Sequence, residues 1–245
     1  MHYFASDIHL GAGTKAEAQA TEQRFVAWLD FVKSDAETLF LLGDIFDFWF
    51  EYRKVVPKGF VRTLAKLAEL SESGVRVVML TGNHDMWVRE YLTEECGVEL
   101  YTTPQTFTLD GRTIFVAHGD NMRIEGQWML QLMNSCFRSR LLRCLFSWLV
   151  HPDLALSFGQ AWSASSRKKH ASADDFTEAL TEPLIDYARD WAKSHTVDHF
   201  VFGHMHYPRD YREEGLHVVS LGCWDLTPSY AQLDKEGNLT LIKLD

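Results

Sequence analysis

Five hydrophobic runs in this chain each stop on side chains that bind metal ions. Tyr3–Ala5 runs into Asp7 and His9, Thr38–Leu42 into Gly43 and Asp44, and Val75–Leu80 into Gly82, Asn83, His84 and Asp85. Thr113–Ala117 runs into His118, Gly119 and Asp120, and His199–Phe202 into Gly203, His204, Met205 and His206. A lone Asp after a strand is commonly a turn or N-cap residue. Five such endings in succession point to a fold that brings five strand ends to one edge. In α/β sheets that edge, beyond the carboxyl ends of the strands, is where ligands gather.

The segments between these runs set the fold class. Thr21–Lys33 carries Phe25, Trp28, Leu29 and Val32 at helical spacing. Lys58–Glu72 carries Phe60, Val61, Leu64, Leu67, Ala68 and Leu70, with Gly74 where a helix C-cap belongs. Val75–Leu80 is apolar without a break, as in a strand covered on both faces. Asp110-Gly111 between Phe107–Leu109 and Thr113–Ala117 signals a hairpin. Residues 121–195 lose the strand pattern and read as helices, including the apolar run Leu141–Val150. Strand patterning returns in Leu216–Leu221, Tyr230–Leu233 and Leu239–Leu244, the last two joined by a turn at Asp234–Asn238. The expectation is an α/β fold: two packed mixed β-sheets flanked by helices in four αββα layers. The whole of 1–245 is expected to form a single domain, with 121–195 a helical insertion or lid within it.

Composition narrows the setting. The 245 residues are 46% hydrophobic and 24% charged, enough for a full core. A net charge of -10 argues against broad nucleic-acid binding, which needs a basic face. Arg138, Arg140 and Arg143, and then Arg167, Lys168, Lys169 and His170, leave room for local cationic patches. Cys96, Cys136, Cys144 and Cys223 form no C-x-x-C pair, which predicts free thiols in a reducing compartment. The chain opens directly on a strand, and no run approaches the ~18 apolar residues of a membrane span. A cytoplasmic protein is expected.

The candidate ligands are Asp7, His9, Asp44, Asn83, His118, His204 and His206. Asp7 and His9, like His204 and His206, are two apart, a spacing that in extended chain points both side chains to one side. Carboxylate, amide and imidazole without thiolate suit Mn²⁺, Fe or Zn²⁺ better than Ca²⁺ or Mg²⁺. The set exceeds what one tetrahedral ion needs. Two ions sharing a bridging carboxylate would use all of it, and Asp44 is the expected bridge. Asp47 reads as a capping or ion-pairing residue. His2, His151, His195, His199 and His217 have no such context and read as structural or surface residues.

The blocks D-x-H (Asp7, His9), G-D-x-x-D (Gly43, Asp44, Asp47), G-N-H-D (Gly82–Asp85), H-G-D (His118–Asp120) and G-H-x-H (Gly203–His206) stand in one order. That order resembles the five-block signature of the calcineurin-like metallophosphoesterases. The resemblance implies one ion on Asp7, His9, Asp44 and His206, and a second on Asp44, Asn83, His118 and His204. It also implies that His84 faces the scissile phosphate while Asp85 holds its other ring nitrogen. The implied chemistry is in-line attack by a metal-bridging hydroxide, with His84 stabilising charge or protonating the leaving oxygen.

S-D-I-H-L-G at 6–11, L-G-D-I-F-D-F-W at 42–49 and the helical stretch before His204 are similar to the UDP-2,3-diacylglucosamine diphosphatase branch of that family. This implies a pyrophosphatase of lipid A biosynthesis, acting on a nucleotide-activated glycolipid and releasing UMP and 2,3-diacylglucosamine 1-phosphate. Its acyl chains would lie in the insertion. The protein would sit peripherally on the cytoplasmic face of the inner membrane and use two divalent ions, Mn²⁺ first, with Fe or Zn²⁺ as alternatives. Asn83, His84 and His204, with Ser163, Ser166, Arg167 and Lys169 by position and type, are the candidate substrate contacts; a solvated helix face is the other reading of the last four. This chain keeps His84 where the best-known members of the branch carry Arg. The alternative is therefore a soluble phosphodiesterase or phosphatase acting on a nucleotide or another phosphoester. A second core or a dimer contact is the other reading of the apolar insertion.

Overall fold

The computed structural model describes residues 1–122, 126, 128–168 and 177–244. Strands β1 (His2–Ala5), β2 (Thr38–Leu42), β3 (Arg76–Leu80) and β4 (Glu99–Tyr101) run parallel in the first sheet. The later strands β10 (Ser229–Leu233) and β11 (Leu239–Lys243) extend it antiparallel, giving the order β11-β10-β1-β2-β3-β4. The second sheet comprises β5 (Gln105–Leu109), β6 (Arg112–Ala117), β7 (His199–Phe202), β8 (Arg209–Glu213) and β9 (Leu216–Ser220), in the order β5-β6-β7-β9-β8.

Side-chain alternation along the strands builds three apolar layers. Leu39 and Leu41 of β2 point outward to helices α1 (Lys15–Val32), α2 (Val61–Glu72) and α3 (Tyr91–Cys96), where Phe25, Trp28, Leu29, Leu67 and Leu92 are buried. Phe40 and Leu42 point the other way, into the space between the sheets, and meet Phe4, Val78, Val116 and Val201. On the far side, α7 (Glu182–Ala192) lays Leu184, Ile185 and Ala188 on Phe115, Phe200 and Phe202. The molecule is thus a four-layer αββα sandwich. β1, β2 and most of β3 are buried on both faces, which is why they read as unbroken apolar runs. Helix α1 starts on a capping box: Thr14 Oγ1 accepts from Glu17 N, and Thr14 N donates to Glu17 Oε2 at 2.7 Å.

The helical stretch over 121–195 contains two kinds of helix. α7 is the crossover that parallel strands β6 and β7 require, and it belongs to the outer layer. Helices α4 (Trp128–Arg138), α5 (Arg140–Leu149) and α6 (Pro152–Lys168) stand off the core. α5 buries no residue, and Trp148 and Leu141 are 81% and 77% exposed. α6 is seated by a stripe of small residues at four-residue spacing, Ala155, Gly159 and Ser163, all buried. A Cβ at Gly159 would overlap the Phe48 ring, so glycine is what lets α6 approach. Among the described residues no single helix is long and apolar enough to cross a membrane. The four cysteines are unpaired.

Candidate metal centre

All seven predicted ligands lie past the carboxyl ends of β1, β2, β3, β6 and β7 and converge on one site. The turns that present them are unusual. Among the described residues seven non-glycine positions have positive φ, and five are Asp7 (55°), His9 (50°), Asp44 (52°), His204 (68°) and His206 (56°). L-residues avoid this region, and such strain persists where the surroundings over-determine it. Here the surroundings are backbone bonds between turns: Asp7 N to Gly43 O at 3.1 Å, His9 N to Asp44 O at 3.0 Å and Gly203 N to His118 O at 2.9 Å. The two-residue spacing therefore does not act through extended chain, as the sequence suggested. Each pair is aimed by left-handed turns after the strand has ended.

The donor atoms form two groups joined at Asp44. His9 Nε2 lies 3.2 Å from His206 Nε2, and His206 Nε2 lies 3.2 Å from Asp7 Oδ1. Asp44 Oδ2 is 4.0 Å from His9 Nε2 and 3.3 Å from His118 Nε2, while Asn83 Oδ1 is 3.2 Å from the same His118 nitrogen. Asp44, His118 and His204 also offer atoms close enough together to share one ion. Outer contacts set the direction of three of these side chains. His118 Nδ1 donates to Leu42 O at 2.8 Å, which leaves Nε2 facing Asp44. Asp44 Oδ1 accepts from His84 N at 2.8 Å, and Asp7 Oδ2 accepts from His204 N at 2.9 Å. The opposite oxygens, Asp7 Oδ1 and Asp44 Oδ2, are buried without a hydrogen bond, one in each group. A buried carboxylate oxygen without a partner is costly. These orphaned oxygens among convergent imidazoles fit a divalent cation.

Electrostatics prepares the same state. Burial alone would raise the Asp7 pKa, but His206 and His118 outweigh it and hold it down at about 2. Asp44 behaves alike: burial pushes up, and His118, His84 and His9 bring it well below the ordinary value. Burial lowers His9 to about 3 and, with the charge of His118, His204 to about 4. Ionised carboxylates and neutral imidazoles are the forms that ligate. His118 runs the other way, because Asp44 and Asp7 overcome its burial and raise it; a cation would displace that proton.

Close approach is enforced by glycine. A Cβ at Gly82 would overlap Asp44 Oδ1, and one at Gly203 would overlap Ser6 Oγ. Gly82→Ala is expected to push Asp44 out of register and lower bound metal below two equivalents per chain, read by elemental analysis. Full metal content in that variant would show that the approach of β3 to Asp44 is not needed.

His84 is placed beside the ligands, but not by the residue expected. Asp85 does not hold its ring. The Asp85 carboxylate is fully buried and accepts from Gly82 N at 2.7 Å and from Ile45 N at 2.8 Å, tying two turns together. Its acid is raised to about 6, by burial and by the charge of Asp44. The His84 ring is held instead by Asp47 and Ser163. Nδ1 donates to the Asp47 carbonyl at 2.9 Å and lies 3.0 Å from Ser163 Oγ, whose own proton goes to Asp47 Oδ1 at 2.6 Å. Nε2 is thereby left facing the site, 3.9 Å from Asp44 Oδ2. Asp47, expected only to cap or ion-pair, also lies 3.7 Å from His9 Nδ1 and is buried. The G-D-x-x-D spacing was its available signal.

Of the other substrate candidates, Ser163 reaches the site, while Lys169 and the side chains of Ser166 and Arg167 lie outside the described residues. Cys223 sits with His9 and His206 in a further group of potential ligand atoms, for which the sequence offered no signal. Burial, and then the charge of Asp225, raise its thiol well above the usual range, so it remains a neutral thiol.

The chain belongs to the calcineurin-like phosphoesterase family, whose model matches residues 3–208. It is a metal-dependent phosphoester hydrolase. A UDP-2,3-diacylglucosamine hydrolase of Porphyromonas gingivalis is 37% identical over 95% of this chain and 93% of its own length. Proteins of the same name from Haemophilus influenzae strain PittGG (28% identical, 98% of each chain) and Ralstonia nicotianae (28%, 91% of this chain and 83% of that one) are also similar.

Proposed function

We propose that this protein cleaves the pyrophosphate of UDP-2,3-diacylglucosamine to UMP and 2,3-diacylglucosamine 1-phosphate. The observation that carries this reading is an apolar cavity of about 450 Å³ that opens onto Asn83 and His84. Phe48, Phe50, Trp87, Phe137, Leu142 and Phe146 line it. Each buried CH₂ contributes ~0.8 kcal/mol, so such a wall favours acyl chains over a water-soluble ester. The name shared by the relatives supports the same substrate. α4–α6 act as the lid of this cavity, and the exposed Trp148, Leu141, Leu145 and Leu149 suit contact with the cytoplasmic face of the inner membrane.

Asp7, His9, Asp44 and His206 would hold one divalent ion, and Asp44, Asn83, His118 and His204 the other; Mn²⁺ is the first choice for this mixed donor set. When bound, the pair lowers the pKa of water and neutralises phosphate charge. His84 presents Nε2 to the scissile phosphate and its leaving oxygen. Asp47 and Ser163 orient His84, and the apolar cavity excludes water from the lipid side.

Mn²⁺-loaded protein incubated with UDP-2,3-diacylglucosamine should release UMP and lipid phosphate in equal amounts. Turnover of bis(p-nitrophenyl) phosphate with no UMP from the glycolipid would point instead to a soluble phosphodiesterase.

Ser163→Ala is expected to lower kcat roughly 10–100-fold with bound metal unchanged, the scale for loss of an orienting partner. In a His84→Ala background the same change should cost nothing further, because groups acting as a unit are not additive. Equal losses in both backgrounds would separate Ser163 from His84.

A further inference from the structure

Residues of the candidate metal centre line two cavities, the apolar one and a second. The second also has a volume of about 450 Å³. Asn83 and His84 line the apolar cavity, and His118 and Gly119 line the second. Their walls differ in chemistry. Thr81, Thr103, Asn121, Asn134, Ser135 and Arg138 put hydroxyl, amide and guanidinium groups around the second one.

These groups are preorganised. Arg138 donates to Asp120 Oδ2 at 2.8 Å and to Thr102 O at 3.2 Å. Asn121 Nδ2 donates to the same Asp120 oxygen at 2.7 Å, and Asn134 Nδ2 donates to Asn121 Oδ1 at 2.7 Å. One N–H of each amide fixes the chain, and an amide nitrogen carries two. A second observation points to a ligand. Thr81 is buried, and its Oγ1 makes no hydrogen bond although it belongs to this wall. A buried hydroxyl without a partner costs ~1–3 kcal/mol. A ligand in the cavity would supply that partner.

We propose that this second cavity binds the nucleoside half of the substrate, so that the pyrophosphate spans the metal centre with its acyl half on one side and its nucleoside on the other. The inference rests on the glycolipid reading above. A uracil edge, with one N–H between two carbonyls, and the ribose hydroxyls match amide and hydroxyl partners. An acyl chain does not.

The test uses Mn²⁺-loaded protein hydrolysing bis(p-nitrophenyl) phosphate, with UMP and inorganic phosphate as inhibitors. UMP should inhibit about tenfold more strongly than phosphate, the scale of one or two net hydrogen bonds. Thr81→Val and Asn134→Ala should each reduce that ratio about fivefold. Thr81→Val should also raise Tm, because it removes the orphaned hydroxyl at constant shape. Equal inhibition of the wild type by UMP and phosphate would overturn the proposal, as would a ratio unchanged in both variants. Glycolipid cleavage is scored separately: a UMP preference lost in the variants, without UMP release from the glycolipid, keeps the nucleoside subsite and rejects the lipid substrate.

Discussion

Asp44→Asn is expected to lower kcat/KM by on the order of 10³-fold or more, the loss that follows when a metal pair is no longer held and charged correctly. The substitution is chosen because it disturbs little else. Asp44 sits at φ 52°, and Asn tolerates the left-handed region at least as well as Asp. The amide oxygen can still accept from His84 N, which now bonds Asp44 Oδ1 at 2.8 Å. What changes is the opposite atom. Oδ2, buried and without a hydrogen bond, becomes an amide that brings N–H donors and no charge to His118 and His9. Both donor groups meet at this atom, so both should weaken, and elemental analysis should find fewer than two equivalents of Mn²⁺. Activity within tenfold of the parent would mean that Asp44 is not shared.

Removal of the ions should produce the second large effect. The ligands are preformed in the folded chain and scattered in the unfolded one, so ions bind the native state almost alone. At a free ion concentration about 100 times Kd, each ion stabilises by ~2.7 kcal/mol. For a chain of this size 1 kcal/mol moves Tm by roughly 2–4 °C, so two ions should raise it by roughly 10–20 °C over the chelator-treated protein. The cause lies in Asp7 and Asp44, whose ionised carboxylates share a buried site with the Asp85 carboxyl. Mn²⁺ should exceed Ca²⁺, because imidazole ligands suit the former. Calorimetric scans that coincide with and without Mn²⁺ would refute a preformed site.

The convergence of the candidate ligands was legible in the sequence and their supports were not, for a physical reason. The candidate ligands are marked by local grammar: a buried strand, then a carboxylate, amide or imidazole beside a glycine. Each ending was legible within about ten residues of chain. The left-handed turns were not, because bonds such as His9 N to Asp44 O fix them between segments 35 residues apart in number. The partner of His84 was harder still. Ser163 comes from 79 residues away, delivered by a helix whose seat depends on Gly159 against Phe48. The family resemblance implied Asp85 as the partner, yet its carboxylate is consumed by the amides of Gly82 and Ile45. Helix α7 shows the same limit. Its pattern matches that of the preceding helices, and only its packing on Phe115 and Phe202 assigns it to the sandwich. The histidines set aside have structural partners: His199 and His217 bond each other at 2.7 Å, and His2 bonds Asp110 at 3.1 Å.

A crystal soaked in Mn²⁺ and measured at the manganese absorption edge tests the centre most directly. Two anomalous peaks ~3.5–4 Å apart, one on each side of the Asp44 carboxylate, are the predicted result. A single peak, or a pair that does not share Asp44, would contradict a dinuclear site built on the five strand ends.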